Sequence, residues 1–269
     1  MVNPVTKVIS ANDVKNGQLV SYVTKNGTMQ TYALGDANSV TGMDLDTRFD
    51  NPRFYGGDSN GLQSTTTYTI AAGADDGKAS DVQSSASTNS TYDTSFSNSI
   101  ALPFLGEQYD GDEVEYDYTA GYFRFNNIVA EQGATVQSAY LKLNKRGGSF
   151  TSGVDNDFYV AAYDADNQAA PTTAAGLNHS NYTTAEVTWN SATDTGNGTL
   201  RSAANGTVLS SPDIKTVIQE ILDRSGWSSG NSIVLAFYPK AKVTYKTTHV
   251  RFENYDDSGD VPPQLEITI

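Results

Sequence analysis

The stretch SPDIKTVIQEILDRSGWSSGN, which begins at Ser211, is the part of the chain where a helix can be recognised with both of its ends. Ser211 is a favourable N-cap residue, and Pro212 suits the first helical position, where no backbone N–H is needed. Asp213 places negative charge at the positive end of the helix dipole, and Gly226 marks the end of the helix. The sequence therefore predicts one short helix over residues 211–225.

Apolar residues within this stretch recur at the spacing of one helix face. The stripe consists of Ile214, Val217, Ile218, Ile221 and Leu222. The expected solvent side carries Lys215, Gln219, Glu220 and Asp223. Such a helix buries one side only, so it predicts packing against a sheet and constrains the fold more than the chemistry.

The chain around this helix consists of short alternating or apolar runs bounded by Gly, Asn, Asp or Pro, which is typical of strands. The runs are GYFRFNNI, TVQSAYLKLNK, DFYVAAYDA, EVTWN, SIVLAFYPK, THVRFEN and QLEITI. The hydrophobic fraction is 38%, which together with many turn-forming residues favours sheets over a helical bundle. We predict an all-β fold, an antiparallel β-sandwich of the jelly-roll type. The residues expected to face its core include Phe123, Phe125, Tyr140, Phe158 and Trp189.

The first sixty residues have a different pattern. The runs QLVSYV and TMQTYAL flank Asn26-Gly27, which is a strong signal for a β-hairpin. A Gly-rich stretch of poor periodicity follows, so we place a boundary near residue 62. Residues 1–62 are predicted to form a β arm that packs on a partner, and residues 63–269 the sandwich. Within the sandwich, the polar run DDGKASDVQSSASTNSTYDTSFSNS predicts a long loop, which is either a functional segment or partly strand.

Charge and composition exclude several classes of function. The net charge of −14 opposes attraction to nucleic acid or to anionic membranes. The chain has no cysteine, which excludes disulfides, thiolate nucleophiles and Cys-based zinc sites. No run approaches membrane-spanning length, and the N-terminus lacks the basic and apolar regions of a signal peptide.

The residues that could serve catalysis are poorly arranged for it. Gly57 to Gly61 matches the G-x-S-x-G pattern, but Ser59 is followed by a predicted strand, whereas a nucleophile elbow requires a helix there. The histidines His179 and His249 lie in a loop and in a strand, respectively. Acidic residues are abundant, but a glycosidase needs two at a defined separation, which sequence does not give. We predict a protein that is not an enzyme.

Clusters of aspartate make a structural Ca²⁺ ion the main candidate cofactor, because Ca²⁺ takes several oxygen ligands from loops. The candidate ligands are Asp75, Asp76, Asp164, Asp166, Asp256 and Asp257. The alternative is that each cluster forms an ordinary turn, since Asp and Asn stabilise turns through local hydrogen bonds.

Tyrosines in the acidic run QYDGDEVEYDY are the candidate contacts for a ligand. Tyr109, Tyr116 and Tyr118 are expected to be exposed there, where their rings could stack on a sugar.

Several phrases taken together resemble a β-sandwich module of bacterial extracellular and surface proteins, often described as carbohydrate-binding-like, that also occurs in phage particles. They are DDGKASD, GYFRFNNI, GATVQSAYLKL, TTAEVTWN, SPDIKTVIQEILDRSGWSSGN, VRFENYDD and the closing P-x-L. The resemblance covers residues 65–269 and implies the sandwich fold.

The resemblance, combined with a polar arm and strong acidity, leads to two hypotheses about function. The first is a structural protein of a phage virion, a capsid decoration protein or head fibre, with other virion proteins as partners. Such a protein is released by lysis and needs no export signal, and we expect a homo-oligomer, most naturally a trimer. The second is an adhesin that recognises a cell-surface glycan, with or without Ca²⁺.

Overall fold

A computed structural model describes the chain over residues 19–23, 29–33, 44–45, 54–55, 64–83, 91–92, 94–98, 104–110, 115–239, 246–256 and 261–269. The chain divides into two units, residues 1–64 and residues 65–269. The predicted boundary near residue 62 stays a prediction.

The first unit contains two small antiparallel sheets. β1 (Leu19–Val23) pairs with β2 (Met29–Ala33), and β3 (Asp44–Leu45) pairs with β4 (Phe54–Tyr55). β1 and β2 flank Asn26-Gly27 in the sequence and pair with each other, so the predicted pairing of these two runs is confirmed. In the part of this unit that the structure describes, each sheet has two strands.

The second unit is built from twelve strands and one α-helix among its described residues. Its elements are β5 (Thr65–Thr69), β6 (Asp76–Gln83), β7 (Ser95–Ser97), β8 (Leu105–Asp110), β9 (Glu115–Phe125), β10 (Ser138–Phe150), β11 (Asp157–Tyr163), β12 (Tyr182–Asn190), β13 (Val208–Ser210), α1 (Lys215–Leu222), β14 (Ile233–Pro239), β15 (Thr248–Phe252) and β16 (Gln264–Thr268). Short 3-10 turns cover Gly73–Asp75, Ala174–Leu177 and His179–Asn181.

The strand pairs of the described residues are antiparallel, and those of the second unit follow the order β12-β11-β14-β9-β8-β15-β10-β16-β5. In addition, β6 pairs with β9, β7 with β6, and β13 with β10. The predicted all-β, antiparallel class with one helix is confirmed. The long strand β10 pairs with β16 and β13 in its first half and with β15 in its second. A register shift between Lys145 and Gly147 separates the two halves. This arrangement is consistent with a jelly roll, which stays a prediction.

Alternation along the central strands separates two hydrophobic clusters. In β9, Phe123 and Phe125 belong to a large cluster with β10, β15, β16 and α1, whereas Tyr122 belongs to a second, tyrosine-rich cluster. Because successive side chains of a strand point to opposite faces, the two clusters lie on opposite faces of β9, β11 and β14. β14 is accordingly buried along its whole length.

Most residues predicted to face the core do so. Phe123, Phe125, Phe158 and Trp189 are at most 1% exposed in the large cluster. Tyr140 is half-buried and pairs with Glu266, between the buried Ala139 and Leu141. The prediction for Tyr140 is therefore wrong: it lies on the opposite face of β10 from those two core residues.

The helix has the predicted stripe but is shorter than the predicted 211–225: it starts later and ends earlier, at Leu222. Its apolar stripe is buried throughout. However, α1 begins at Lys215, so Ser211 is not its N-cap and Pro212 is not its first residue. The Ser211 hydroxyl instead accepts a hydrogen bond from the Leu141 N–H at 3.0 Å, while the Asp213 carboxylate accepts from the Lys215 N–H at 3.0 Å. Tertiary contact with β10 has replaced the local cap.

Two residues of α1 that were expected to face solvent, Glu220 and Gln219, form hydrogen bonds to neighbouring segments of the chain. The Glu220 carboxylate accepts from the N–H groups of Thr184 and Ala185 in β12, at 2.8 and 2.7 Å. The Gln219 side chain binds both the N–H of Val136 and the carbonyl of Ala134. Glu220 therefore connects the helix to β12, and Gln219 connects it to the segment before β10, so the prediction that these two residues face solvent is wrong.

Candidate functional site

Three of the six predicted calcium ligands, Asp75, Asp164 and Asp166, are bound by arginine side chains. Asp75, which is 3% exposed, lies at the end of a 3-10 turn immediately before β6. One of its oxygens pairs with Arg124 Nη1 at 2.8 Å, and the other accepts from Asn126 Nδ2 at 3.0 Å. A buried carboxylate requires this kind of partner, because an isolated buried charge is costly.

Arg124 connects this carboxylate to the loop after β11. Its Nε donates to the Gln168 carbonyl at 2.9 Å, and its Nη2 donates to Ser232 Oγ at 3.0 Å. The Ser232 hydroxyl donates to Asn126 Oδ1 at 2.9 Å, and its N–H donates to Asn167 Oδ1 at 3.0 Å. The guanidinium is thus surrounded by hydrogen-bond acceptors from three elements.

Asp164 and Asp166 lie in the same loop and bind the second arginine. Arg224, just after α1, pairs with Asp164 and donates from Nε to Asp166 Oδ1 at 2.6 Å. Hydrogen bonding to Asp166 raises the pKa of Arg224 further. Gly226, predicted only as the helix end, leaves room for this carboxylate, because a Cβ there would lie 2.0 Å from Asp166 Oδ2.

Two further candidate ligands, Asp76 and Asp256, lie near the start of β6. The Asp76 carboxylate accepts from the Tyr255 N–H at 2.9 Å. Asp256 lies so close to Gly73 that a Cβ on the glycine would be 2.7 Å from its Oδ1. Asp257 lies outside the described residues. Across the described part of the chain, no group of three or more acidic or histidine side chains could hold a metal ion.

The carboxylates of Asp75 and Asp166 therefore cross-link separate loops through their arginine partners. Asp75, Arg124, Asp166 and Arg224, with the Asn and Ser side chains between them, form what we call the arginine network. The network joins the start of β6, the end of β9, the loop after β11, the end of α1 and the start of β14. Asp75 has its guanidinium partner in Arg124, and Asp164 and Asp166 have theirs in Arg224.

The candidate tyrosines are placed differently from the expectation. The acidic run is not one loop, because its two ends form β8 and β9. Tyr118 lies within β9 and is 1% exposed, so the prediction that it is exposed is wrong. Tyr109 is half-buried in β8, and the side chain of Tyr116 lies outside the described residues. A tyrosine that is exposed is Tyr255, at 44%.

One group of polar and charged residues was not anticipated from the sequence. Strand register places Ser80, Thr119 and His249 in one row across β6, β9, β8 and β15. Burial lowers the pKa of Lys78 and raises that of Asp117, although each charge partly offsets the shift of the other. Lys78 Nζ lies 5.6 Å from the centroid of the Phe104 ring. These residues are far apart in sequence, and no local motif marks them.

His249 in this row gives a pH-dependent prediction. Burial, with the nearby charge of Arg251, lowers its pKa to about 4. Its ring lies 4.9 Å from Phe104, and its Nδ1 has no hydrogen-bond partner among the described residues. The folded state thus favours neutral imidazole, and the unfolded chain binds the proton first. Above about pH 6.5 the imidazole is neutral in both states, and this preference costs the folded state nothing. As the pH falls towards 4, the unfolded chain binds the proton and the free energy of unfolding decreases.

We therefore expect the wild type to lose stability more steeply than His249→Phe between pH 7 and pH 4.5. Urea unfolding at several pH values measures the difference. Parallel pH profiles for the two proteins would show that His249 does not titrate differently in the folded state.

Comparison with known proteins adds no relative. No family model matches the chain, and no curated protein matches it. In the described part of the chain, no helix is long and apolar enough to cross a membrane.

Proposed function

We propose that this chain is a non-enzymatic structural protein of a phage virion, a capsid decoration or head-fibre protein. Residues 1–62 attach it to the particle, and the β domain of residues 63–269 projects outward. Its partners are other virion proteins, with no role for nucleic acid or a membrane, which the net charge of −14 disfavours.

The observation that carries this proposal is the pairing within the first unit. β1 pairs with β2 and β3 with β4, and the described residues of the unit contain no third strand for either sheet. An isolated two-stranded sheet is marginally stable in water at best. Strands of this kind gain stability by packing on a partner surface, which is the role of an attachment arm.

The arginine network supports the same proposal from the second unit. Asp75, Asp164 and Asp166 bind guanidinium groups that join separate elements. Acidic and basic side chains used in this way stabilise loops, as a projecting structural domain requires. The test is whether purified particles of the virus contain the chain in a fixed copy number. Its absence from particles that carry every other structural protein would contradict the proposal.

A glycan-binding adhesin is the second candidate, and the exposed ring of Tyr255 favours it. Sugar rings stack on aromatic side chains that are accessible in this way. Binding to a glycan array that is lost in Tyr255→Ala would favour the adhesin over the decoration protein, and a blank array would weigh against it.

A further inference from the structure

The two outer strands of the main strand path, β12 and β5, differ in whether backbone groups at the outer edge already have hydrogen-bond partners. At β12, the Glu220 carboxylate of α1 binds the N–H groups of Thr184 and Ala185. That contact occupies donors that a foreign strand would need. β5 pairs with β16 on one side, and no described strand lies on its other side.

β5 also lacks the usual features that protect an edge. Its sequence, TTTYT, contains no charge and no proline, and its five residues pair with β16 without a register shift. Four of the five residues are exposed, and Tyr68 is half-buried. Threonine and tyrosine favour strands, so the edge has the composition of a pairing surface.

The direction of the free backbone groups follows from the register. The Ile70 N–H donates to the Pro263 carbonyl at 3.3 Å, so Ile70 points its backbone groups towards the β16 side. Backbone groups alternate along an antiparallel strand, so those of Thr66 and Tyr68 point the same way as Ile70. The N–H and C=O groups of Thr65, Thr67 and Thr69 therefore point to the free edge.

This pattern is self-complementary. If two copies of β5 meet in antiparallel orientation about a two-fold axis at Thr67, Thr67 faces its own counterpart and Thr65 faces Thr69 of the other copy. Each of these would be a hydrogen-bonded pair, because all three residues point their backbone groups outward.

The lack of charge on β5 suits a second copy of the chain as the partner of this edge. The chain carries a net charge of −14, yet β5 is uncharged. Glu266, which lies opposite Thr67 in β16, pairs with Lys142 at 2.6 Å. Two such edges meet without like-charge repulsion. Val129, which is 69% exposed, donates its N–H to the Tyr68 hydroxyl of β5 at 3.0 Å.

We propose that β5 is a homodimer interface at which two copies of this chain join their sheets edge to edge. The contact goes beyond the attachment role of the first unit and does not depend on it. It also differs from the trimer expected from the sequence, because a two-fold contact of this kind closes as a dimer.

The test compares the mass of the full-length chain in solution with that of edge variants, measured by light scattering after size-exclusion chromatography. Thr67→Pro removes an outward N–H that β16 does not use, so the fold is retained and the dimer is lost. Thr67→Val keeps the N–H and is expected to stay dimeric. The wild type should have twice the 28.8 kDa of one chain. Thermal unfolding checks that Thr67→Pro is folded.

A cross-link gives an independent result, since the chain has no cysteine of its own. Thr67→Cys should form a disulfide-linked dimer on a non-reducing gel, whereas Thr184→Cys, on the protected edge, should not. A monomeric wild type, or an oligomer that Thr67→Pro leaves unchanged, would overturn the interface. Neither outcome bears on whether the first unit attaches the protein to a particle.

Discussion

Arg124→Met is expected to lower the free energy of unfolding by about 3–5 kcal/mol, because it leaves a buried carboxylate without its counter-charge. The Asp75 side chain is 5% exposed, and Arg124 is its ion-pair partner. The same substitution removes the hydrogen bonds to the Gln168 carbonyl and to Ser232. Urea unfolding followed by circular dichroism measures the loss.

The matched control is Arg224→Met, at the other arginine of the network. Its partners Asp164 and Asp166 are 50% and 42% exposed, so water can solvate them when the guanidinium is removed. Exposed ion pairs contribute little, and we expect a loss of about 0–1 kcal/mol. Equal losses in the two variants would show that burial of Asp75 does not determine the stability of the network.

Tyr92→Ala is the second substitution with a large expected effect, a loss of about 3–5 kcal/mol from removing a fully buried aromatic ring. Tyr92 is 0% exposed, although it lies in a polar stretch. Its N–H donates to Asn178 Oδ1 at 2.7 Å, and its ring lies 5.8 Å from that of His179. The residue therefore holds its own segment and the 3-10 turns before β12 on the tyrosine-rich face of the sheet.

Tyr92→Phe separates the ring from its hydroxyl. The hydroxyl donates to the Pro239 carbonyl at 3.4 Å, and losing one hydrogen bond of this kind costs about 1 kcal/mol. We expect Tyr92→Phe to stay close to the wild type in urea unfolding while Tyr92→Ala falls well below it. A similar, small loss in both variants would contradict the anchoring role of the ring.

Much of the fold could be predicted because its signals are local. Alternation in GYFRFNNI and the helical spacing of Ile214, Val217 and Ile218 depend on neighbouring residues alone, and the structure confirms both. The helix start could not be predicted, because the Ser211 hydroxyl is taken by the Leu141 N–H from a strand seventy residues away in sequence.

The acidic residues of the candidate site could be predicted from the sequence, but their arginine partners could not. Clusters of aspartate indicated that positive charge would be bound, but the partners Arg124 and Arg224 come from other elements, 49 and 58 residues from Asp75 and Asp166. No local pattern distinguishes such an arginine from a metal ion. Tyr118 was expected to be exposed because the acidic run was interpreted as one loop, whereas strand pairing with Asp81 and Glu107 places it within a sheet.

Attachment through the first unit is the central claim, and one binding measurement tests it directly. Full-length protein and a chain of residues 65–269 are each mixed with virus particles assembled without the protein, and the particles are then sedimented. Full-length Arg224→Met serves as a control with an altered second unit. We predict that both full-length proteins sediment with the particles and that the truncated chain, folded by circular dichroism, stays in the supernatant. Equal sedimentation of the truncated chain would contradict the account.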